Sequence, residues 1–162
     1  MKHCLVLCLL ALCCTLVLPV AAQSFDDTYQ NAVGIHFGWW RGVALSLKHF
    51  INDDAALEAR ASLWKYGGEV CVLYQFYGDV PDIDGLRWYA GGGAHVGQYN
   101  LAWAKYNPSE LNRWYLGPDG VAGMDYKFQG APIDMSFDVQ PRMYFPVGWV
   151  DLWGGIGVRF AF

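Results

Sequence analysis

The chain has 162 residues, a length that suits one domain, and 54% of them are hydrophobic. Its 15 Asp and Glu outnumber its 11 Lys and Arg, and the sequence pI is near 5.4. Because the basic residues are few and scattered, nucleic acid is not expected as a partner. No stretch beyond the N-terminus is long and apolar enough for a transmembrane helix. A membrane location would therefore require a closed β-barrel, in which every backbone polar group finds a partner.

The N-terminus has the pattern of a secretory signal peptide. Lys2 supplies the positive charge, residues 4–18 are apolar, and Pro19 precedes the small residues that end at Ala22. A transmembrane helix is the alternative, but the apolar core is shorter than the ~20 residues that a span needs. We predict a signal peptide over residues 1–22, which leaves Cys71 as the only cysteine and excludes an intrachain disulfide.

After a loose N-terminal segment, residues 23–30, the chain is predicted to form eight strands. Apolar residues alternate with small, polar or charged ones at a period of two in each of them. Residues 57–63 also have helix propensity, so a short helix is the alternative there. The predicted strands are residues 31–40, 43–50, 57–63, 69–76, 86–97, 118–128, 133–140 and 149–162.

The last predicted strand shows the alternation most clearly. Its even positions run apolar from Val150 to Phe162, whereas its odd positions mix glycine, tryptophan and charge. A chain that ends on the aromatic residue of such a strand resembles the C-terminal insertion signal of bacterial outer-membrane barrels. The resemblance assigns that assembly signal to Phe160 and Phe162.

The even strand count, strands of about ten residues and one apolar face per strand are typical of outer-membrane barrels. The whole of residues 31–162 resembles the small eight-stranded barrels of the OmpA and OmpX kind. Residues 88–97, Asp119-Gly120-Val121 and 159–162 resemble small barrels of the Bacteroidetes type. The resemblance implies an all-β, closed, antiparallel, up-and-down eight-stranded transmembrane barrel in the outer membrane of a Gram-negative bacterium. It also implies contact with outer-membrane lipid and lipopolysaccharide, and recognition by the barrel assembly machinery.

The face opposite the apolar one carries equal numbers of basic and acidic residues. An eight-stranded barrel is just wide enough for its side chains to fill, and buried charges require partners. We therefore predict a plugged lumen closed by ion pairs. The alternative is a soluble exported barrel with the apolar face inside, which would bind a small hydrophobic ligand. The predicted lumen charges are Lys48, Arg60, Arg87, Lys127, Arg159, Glu58, Glu69, Asp125, Asp134 and Asp138.

The sequence offers no convincing catalytic or metal site. The histidines His36, His49 and His95 lack a metal-ligand spacing. Some eight-stranded outer-membrane barrels modify lipid A with a Ser-His pair. Here Ser46 and His49 are three residues apart and are expected on opposite faces of a strand. We predict no catalysis, no cofactor and no metal, with a lipid A-modifying enzyme as the less favoured alternative.

The connections between strands divide by charge. With an even strand count both termini lie at one end, and the connections at that end are rich in aspartate. The predicted opposite connections hold Arg41, Lys65, Lys105, Arg113 and Arg142. We predict that the connection 98–117 is extracellular and is the surface for an unknown partner of a monomeric barrel. Its candidate binding residues are Trp103, Lys105, Tyr106, Arg113 and Trp114.

Overall fold

The computed structural model describes residues 29–39, 42–105, 114–145 and 148–162. The predicted signal peptide and residues 23–28 lie outside the described residues, as do Arg41, Tyr106 and Arg113. The side chains of Trp103 and Ala104 are also outside the description.

Eight antiparallel strands form a closed barrel in which each strand pairs with its neighbours in sequence and β1 pairs with β8. The predicted fold class is confirmed. The segment with helix propensity, residues 57–63, lies within a strand. The strands are β1 Asn31–Gly38, β2 Gly42–Asn52, β3 Ala55–Trp64, β4 Gly67–Asp79, β5 Leu86–Tyr99, β6 Trp114–Lys127, β7 Ile133–Tyr144 and β8 Trp149–Ala161, and one short helix, α1, covers Leu101–Ala104.

The first and last strands close the barrel. Their register runs from Ala32 opposite Ala161 to Gly38 opposite Gly155. Beyond β8, the backbones of Asn31 and Phe162 exchange two hydrogen bonds of 2.8 Å. Closure leaves no strand edge to be satisfied by water or another chain. It also fixes both ends of the described chain at one end of the barrel, called here the terminal end; the opposite end is called the loop end.

Strands β6 and β7 are longer than the sixth and seventh predicted strands, which were limited by prolines. β6 begins at Trp114 and β7 continues to Tyr144, so each includes a proline, Pro118 and Pro141. Proline donates no hydrogen bond, and Pro141 lies in a gap of the β6–β7 pairing, between the pairs Asp119–Arg142 and Ala122–Val139, while the register is the same on both sides of the gap. Arg142, predicted in a basic connection at the loop end, is therefore a strand residue and is buried.

The two faces of the barrel are chemically inverted relative to a soluble protein. On β7, Phe137 is 50% exposed, whereas its neighbour Asp138 is fully buried. The interior is mostly polar, with a small apolar cluster toward the terminal end that includes Phe50, Leu73 and Tyr89. This arrangement contradicts the alternative of a soluble barrel with an apolar interior. None of the described helices is long and apolar enough to span a membrane.

Glycines in β5 allow close approach of the neighbouring strand. A Cβ atom on Gly91 would collide with the carbonyl oxygen of Tyr74, and one on Gly93 with that of Val72. Glycine therefore permits a β4–β5 packing at this point that a side chain would obstruct. Between these glycines and the loop end, His95 is buried in the lumen.

Candidate functional site in the barrel lumen

A network of ion pairs crosses the middle of the lumen. Glu58 and Arg60 are two residues apart on β3 and therefore share the inner face. Arg60 donates to Glu58 at 2.9 Å and to Asp138 Oδ2 at 2.6 Å. Arg159 donates to Glu58 Oε1 at 3.0 Å and to Asp134 Oδ1 at 2.6 Å. Because Glu58 is shared by two arginines, strands β3, β7 and β8 are tied together across the interior.

A second buried pair joins opposite walls of the barrel. Lys48 Nζ lies 2.6 Å from Asp125 Oδ2, although the two residues are 77 positions apart in sequence. The ammonium group also lies 5.2 Å from the ring centroid of Tyr77 and 5.5 Å from that of Tyr89. Aromatic faces attract a cation, so these rings add to the stabilisation of the buried charge.

Serine, glutamine, tyrosine and histidine side chains also contact the carboxylates of this network. Ser46 donates to Glu58 Oε1 at 2.6 Å, and Gln75 donates to Glu58 Oε2 at 2.7 Å. Tyr89 donates to Asp138 Oδ2 at 2.8 Å, and His36 Nε2 lies 3.2 Å from the same oxygen. Burying a carboxylate that accepts several hydrogen bonds costs much less free energy than burying an isolated carboxylate. Glu58 and Asp138 therefore each have several polar contacts inside the barrel.

A second cluster, which was not predicted from the sequence, lies nearer the loop end. Arg142 donates to Glu69 at 2.6 Å and to Asp119 Oδ1 at 2.8 Å. His95 Nδ1 lies 2.8 Å from Asp119 Oδ1, and the thiol of Cys71 is 3.2 Å from Asp119 Oδ2. Of these residues only Glu69 was predicted as a lumen charge. The signal was present, because Asp119 lies on the inward face of the predicted strand 118–128 and Arg142 continues the inward alternation of β7 past Pro141.

One glutamine connects the two clusters. Arg60 donates to Gln140 Oε1 at 3.3 Å, and Gln140 Nε2 lies 3.4 Å from Cys71 Sγ. Both Gln140 and Cys71 are buried. The polar interior therefore continues from the terminal half of the lumen into the loop half.

Two of the predicted lumen charges are not buried ion pairs. Arg87 lies at the rim of the terminal end, where it is paired with Asp79 at 2.9 Å and with Asp54 at 3.4 Å. Both of these aspartates are exposed. Lys127 donates to the backbone carbonyls of Phe128 and Ala131 and not to a carboxylate. Strand alternation gives the face of a residue but not its depth in the barrel, which explains both errors.

Tyr29 covers part of the terminal end. Its hydroxyl donates to Asp134 Oδ2 at 2.7 Å, and its ring packs edge-on against Phe50 with centroids 5.1 Å apart. Burial, together with the carboxylates of Asp125 and Asp134, raises the pKa of Tyr29 well above its usual value, so the phenol remains a donor. The backbone carbonyl of Gln30 accepts from Phe50. Residues 29 and 30 are therefore held in place, although both were predicted in the loose segment.

Ser46 and His49 are not arranged as a nucleophile and its base. Ser46 is buried in the lumen and donates to Glu58, whereas His49 is exposed and lies 2.9 Å from Asn31 Oδ1. Within the part of the chain that the structure describes, no group of three His, Cys, Asp or Glu side chains could hold a metal ion.

Among the predicted surface and assembly residues, Lys105, Trp114 and Phe160 have exposed side chains. Lys105 follows α1 and is exposed, and Trp114 begins β6 with an exposed side chain. Trp103 is in α1, while Tyr106 and Arg113 lie outside the described residues. Phe160 points outward, and its ring centroid is 6.0 Å from that of Phe162.

Comparison with known proteins identifies a similar solved structure but no protein family. No protein-family model matches the sequence, and no curated protein matches it. The chain is similar to the crystal structure of the N-terminal β-barrel domain of Pseudomonas aeruginosa OprF, with a TM-score of 0.58 and 19% identity. The match covers 82% of this chain and 100% of that domain. At this identity the likeness shows the fold.

The lumen network predicts a large difference between two arginine substitutions. Arg60→Ala removes the arginine partner of the buried Asp138 and one of the two arginine partners of Glu58, which should lower the free energy of unfolding by about 3–5 kcal/mol. Arg87→Ala removes an arginine from the exposed rim and should cost about 0–1 kcal/mol. Urea titration of the two refolded variants measures both values. Equal losses would contradict the assignment of the stabilising network to the lumen.

Proposed function

We propose that this protein is an integral outer-membrane β-barrel whose lumen is closed and whose role is structural or in surface interactions. The observation that carries the proposal is the inversion of the two faces. Apolar side chains such as Ile156 and Phe137 point outward, whereas Glu58 and Arg60 are buried inside. Water would not favour so large an apolar exterior, since contiguous exposed apolar patches on soluble monomers seldom exceed a few hundred Å². Hydrocarbon would favour it.

The ends of the barrel support the same proposal. Exposed tryptophans at the loop end, Trp39, Trp114 and Trp149, are suited to a membrane–water interface, where an apolar ring meets a polar surface. The strands of 8–14 residues are long enough to cross a bilayer when tilted. The likeness to the OprF β-barrel domain is consistent with this proposal.

The loop end is the proposed extracellular and partner-binding end. Among the described connections, those at the terminal end hold Asp53, Asp54, Asp82 and Asp84, whereas Lys65 and Lys105 lie at the loop end. The sequence of the loop connections adds Arg41 and Arg113. Basic and aromatic groups suit the phosphates of lipopolysaccharide through charge-assisted hydrogen bonds. We also propose that the barrel assembly machinery recognises Phe160 and Phe162 when it inserts the chain. The barrel is proposed to be a monomer that has no catalytic activity and no cofactor.

The membrane-facing surface gives the first test of the proposal. Phe137 lies near the middle of β7, opposite Met124 and Ile156 on the neighbouring strands. Phe137→Arg should cost roughly 2–4 kcal/mol on folding into lipid vesicles. The control Ile83→Arg, in the turn between β4 and β5, should have little effect. Vesicle folding assayed by the gel shift between unheated and boiled samples distinguishes them, and equal yields would contradict a lipid-facing Phe137.

The closed lumen gives a second test. Because the buried ion pairs and their neutral donors fill the interior, the purified wild-type barrel should give no large, stable single-channel currents in planar bilayers. A large-pore porin preparation in the same bilayers serves as the positive control. Reproducible open-channel currents from the wild type would contradict the plugged lumen.

The orientation is tested by thiol labelling of intact cells. We expect a membrane-impermeant maleimide to label Lys65→Cys, between β3 and β4, and to spare Asp82→Cys, between β4 and β5. Both variants should also carry Cys71→Ser to remove the native thiol. Lysed cells, in which both sites should react, control for reactivity. The reverse labelling would overturn the assignment of the loop end to the cell exterior.

A further inference from the structure

The segment immediately ahead of β1 covers part of the terminal end, and the proposed function gives it no role. Tyr29 and Gln30, called here the terminal strap, precede the first residue of β1 and belong to no strand of the barrel. The backbone carbonyl of Gln30 accepts a hydrogen bond of 2.8 Å from Phe50, which continues the β1–β2 pairing by one position. Tyr29 then turns its side chain into the opening of the barrel.

The Tyr29 side chain bridges the two sides of the seam at which the barrel closes. Its hydroxyl donates to Asp134 on β7 at 2.7 Å, and its ring packs edge-on against Phe50 on β2, with centroids 5.1 Å apart. Between these two strands lie β8 and β1, whose pairing closes the barrel. Asp134 also accepts from Arg159 at 2.6 Å, so the strap contacts a carboxylate of the buried ion-pair network.

Tyr29 lies at the boundary between open space and buried charge. A cavity of about 1010 Å³ opens at the terminal end, and Tyr29, Asp125 and Asp134 are among the residues that line it. Despite this position, Asp134 is fully buried and Asp125 is only 4% exposed. Both carboxylates already have cationic partners, since Lys48 contacts Asp125 and Arg159 contacts Asp134. The strap therefore separates paired charges from solvent and does not neutralise them.

The strap completes a row of aromatic rings in the terminal half of the lumen. The ring centroids of Phe50 and Tyr77 are 4.9 Å apart, Tyr77 stacks on Tyr89 at 5.2 Å, and Tyr29 contacts the Phe50 end of the row. The other three rings are carried by strands β2, β4 and β5, whereas the strap is attached by two hydrogen bonds and by the packing of one ring. A short segment outside the strands can open locally at a far lower free energy than global unfolding. Tyr29 is therefore the ring that can leave the row while the barrel stays closed.

We propose that the terminal strap is a gate for the terminal half of the lumen. With Tyr29 seated, water and small solutes are kept from Asp125, Asp134 and the side chains beyond them. With Tyr29 released, solvent reaches this half, while the β1–β8 pairing stays intact because the strap is not part of it. The loop half stays closed, because the ion pairs of Glu58 and Arg60 lie between the two halves. The gate therefore gives access from one end without a continuous pore, whichever end faces the cell exterior.

Thiol reactivity measured separately in the two halves of the lumen tests the gate. Ser136→Cys, combined with Cys71→Ser, places a thiol in the terminal half, between the inward residues Asp134 and Asp138 of β7. Ser136 is 4% exposed and its hydroxyl has no hydrogen-bond partner among the described residues, so the substitution breaks no hydrogen bond there. The native Cys71, in a chain that keeps Ser136, reports on the loop half. The folded barrels in micelles are treated with a small, membrane-impermeant, cationic methanethiosulfonate, and mass spectrometry measures the rates of modification.

Two substitutions of Tyr29 are compared in each background. Tyr29→Phe keeps the ring and removes the donor to Asp134, and it should raise the rate at Ser136→Cys about tenfold, the scale expected for one hydrogen bond to a carboxylate. Tyr29→Ala removes the ring as well and should raise the rate further. Neither should change the rate at Cys71. Tyr74→Ala, which removes an outward-facing tyrosine from β4, is the matched control and should change neither rate. Because Tyr29→Phe conserves the packed volume, it provides the test even if Tyr29→Ala does not fold.

Hydrogen exchange of the parent barrel tests the release of the strap directly. The Phe50 amide, which donates to Gln30, should exchange faster than the β2 amides deeper in the β1–β2 pairing. Equal protection of these amides would overturn the proposal. So would rapid reaction of Ser136→Cys with Tyr29 in place, an unchanged rate in both Tyr29 variants, or equal acceleration at Cys71, which would mean that the whole barrel had loosened.

Discussion

The structure depends on one constraint: a charge placed inside the barrel must find a partner there. The described interior buries six carboxylates with only four Lys and Arg side chains. Histidine, serine, glutamine and tyrosine side chains supply the remaining contacts, as His36 and Tyr89 do for Asp138. Removing one partner strands the other, so the network imposes a strict register. A slip of one residue would turn every inward charge on that strand toward the outside.

Periodicity in the sequence predicted the strands and their faces, because a period of two leaves a readable alternation. It could not predict contacts across the lumen. Lys48 meets Asp125 only because the closed barrel brings β2 and β6 face to face, and no local pattern records that distance. The predicted seventh strand ended before Pro141 and so excluded the inward residue Arg142, whereas Asp119 lay inside the predicted sixth strand but was not counted among the lumen charges. Alternation also does not show how deep in the barrel a residue lies. Arg87 and Lys127, which are close to strand ends, were therefore indistinguishable from Arg60 in the middle of the barrel.

The two ends of the barrel differ in chemistry although they share the same strands. At the loop end, tryptophans such as Trp114 and Trp149 are exposed near the connections. Arg142 is buried there and donates hydrogen bonds to Glu69 and Asp119. At the terminal end, Tyr29 covers part of the opening, and several aspartates lie around the rim. The loop end therefore combines aromatic rings with positive charge, and the terminal end combines carboxylates with exposed aliphatic side chains. An interaction at one end need not involve the other.

Closure by the first and last strands has a consequence for the order of events during synthesis and folding. Arg159, near the C-terminus, neutralises Glu58 from 101 positions away, and β1 has no second neighbour until β8 exists. A nascent chain that lacks β8 therefore holds carboxylates without their cation and an unpaired edge. Contacts so distant in sequence carry a high loop-closure cost, so folding is expected to be slow and strongly cooperative. The β1–β8 pairing and the ion pairs of Arg159 with Glu58 and Asp134 can therefore form only when the last strand is present.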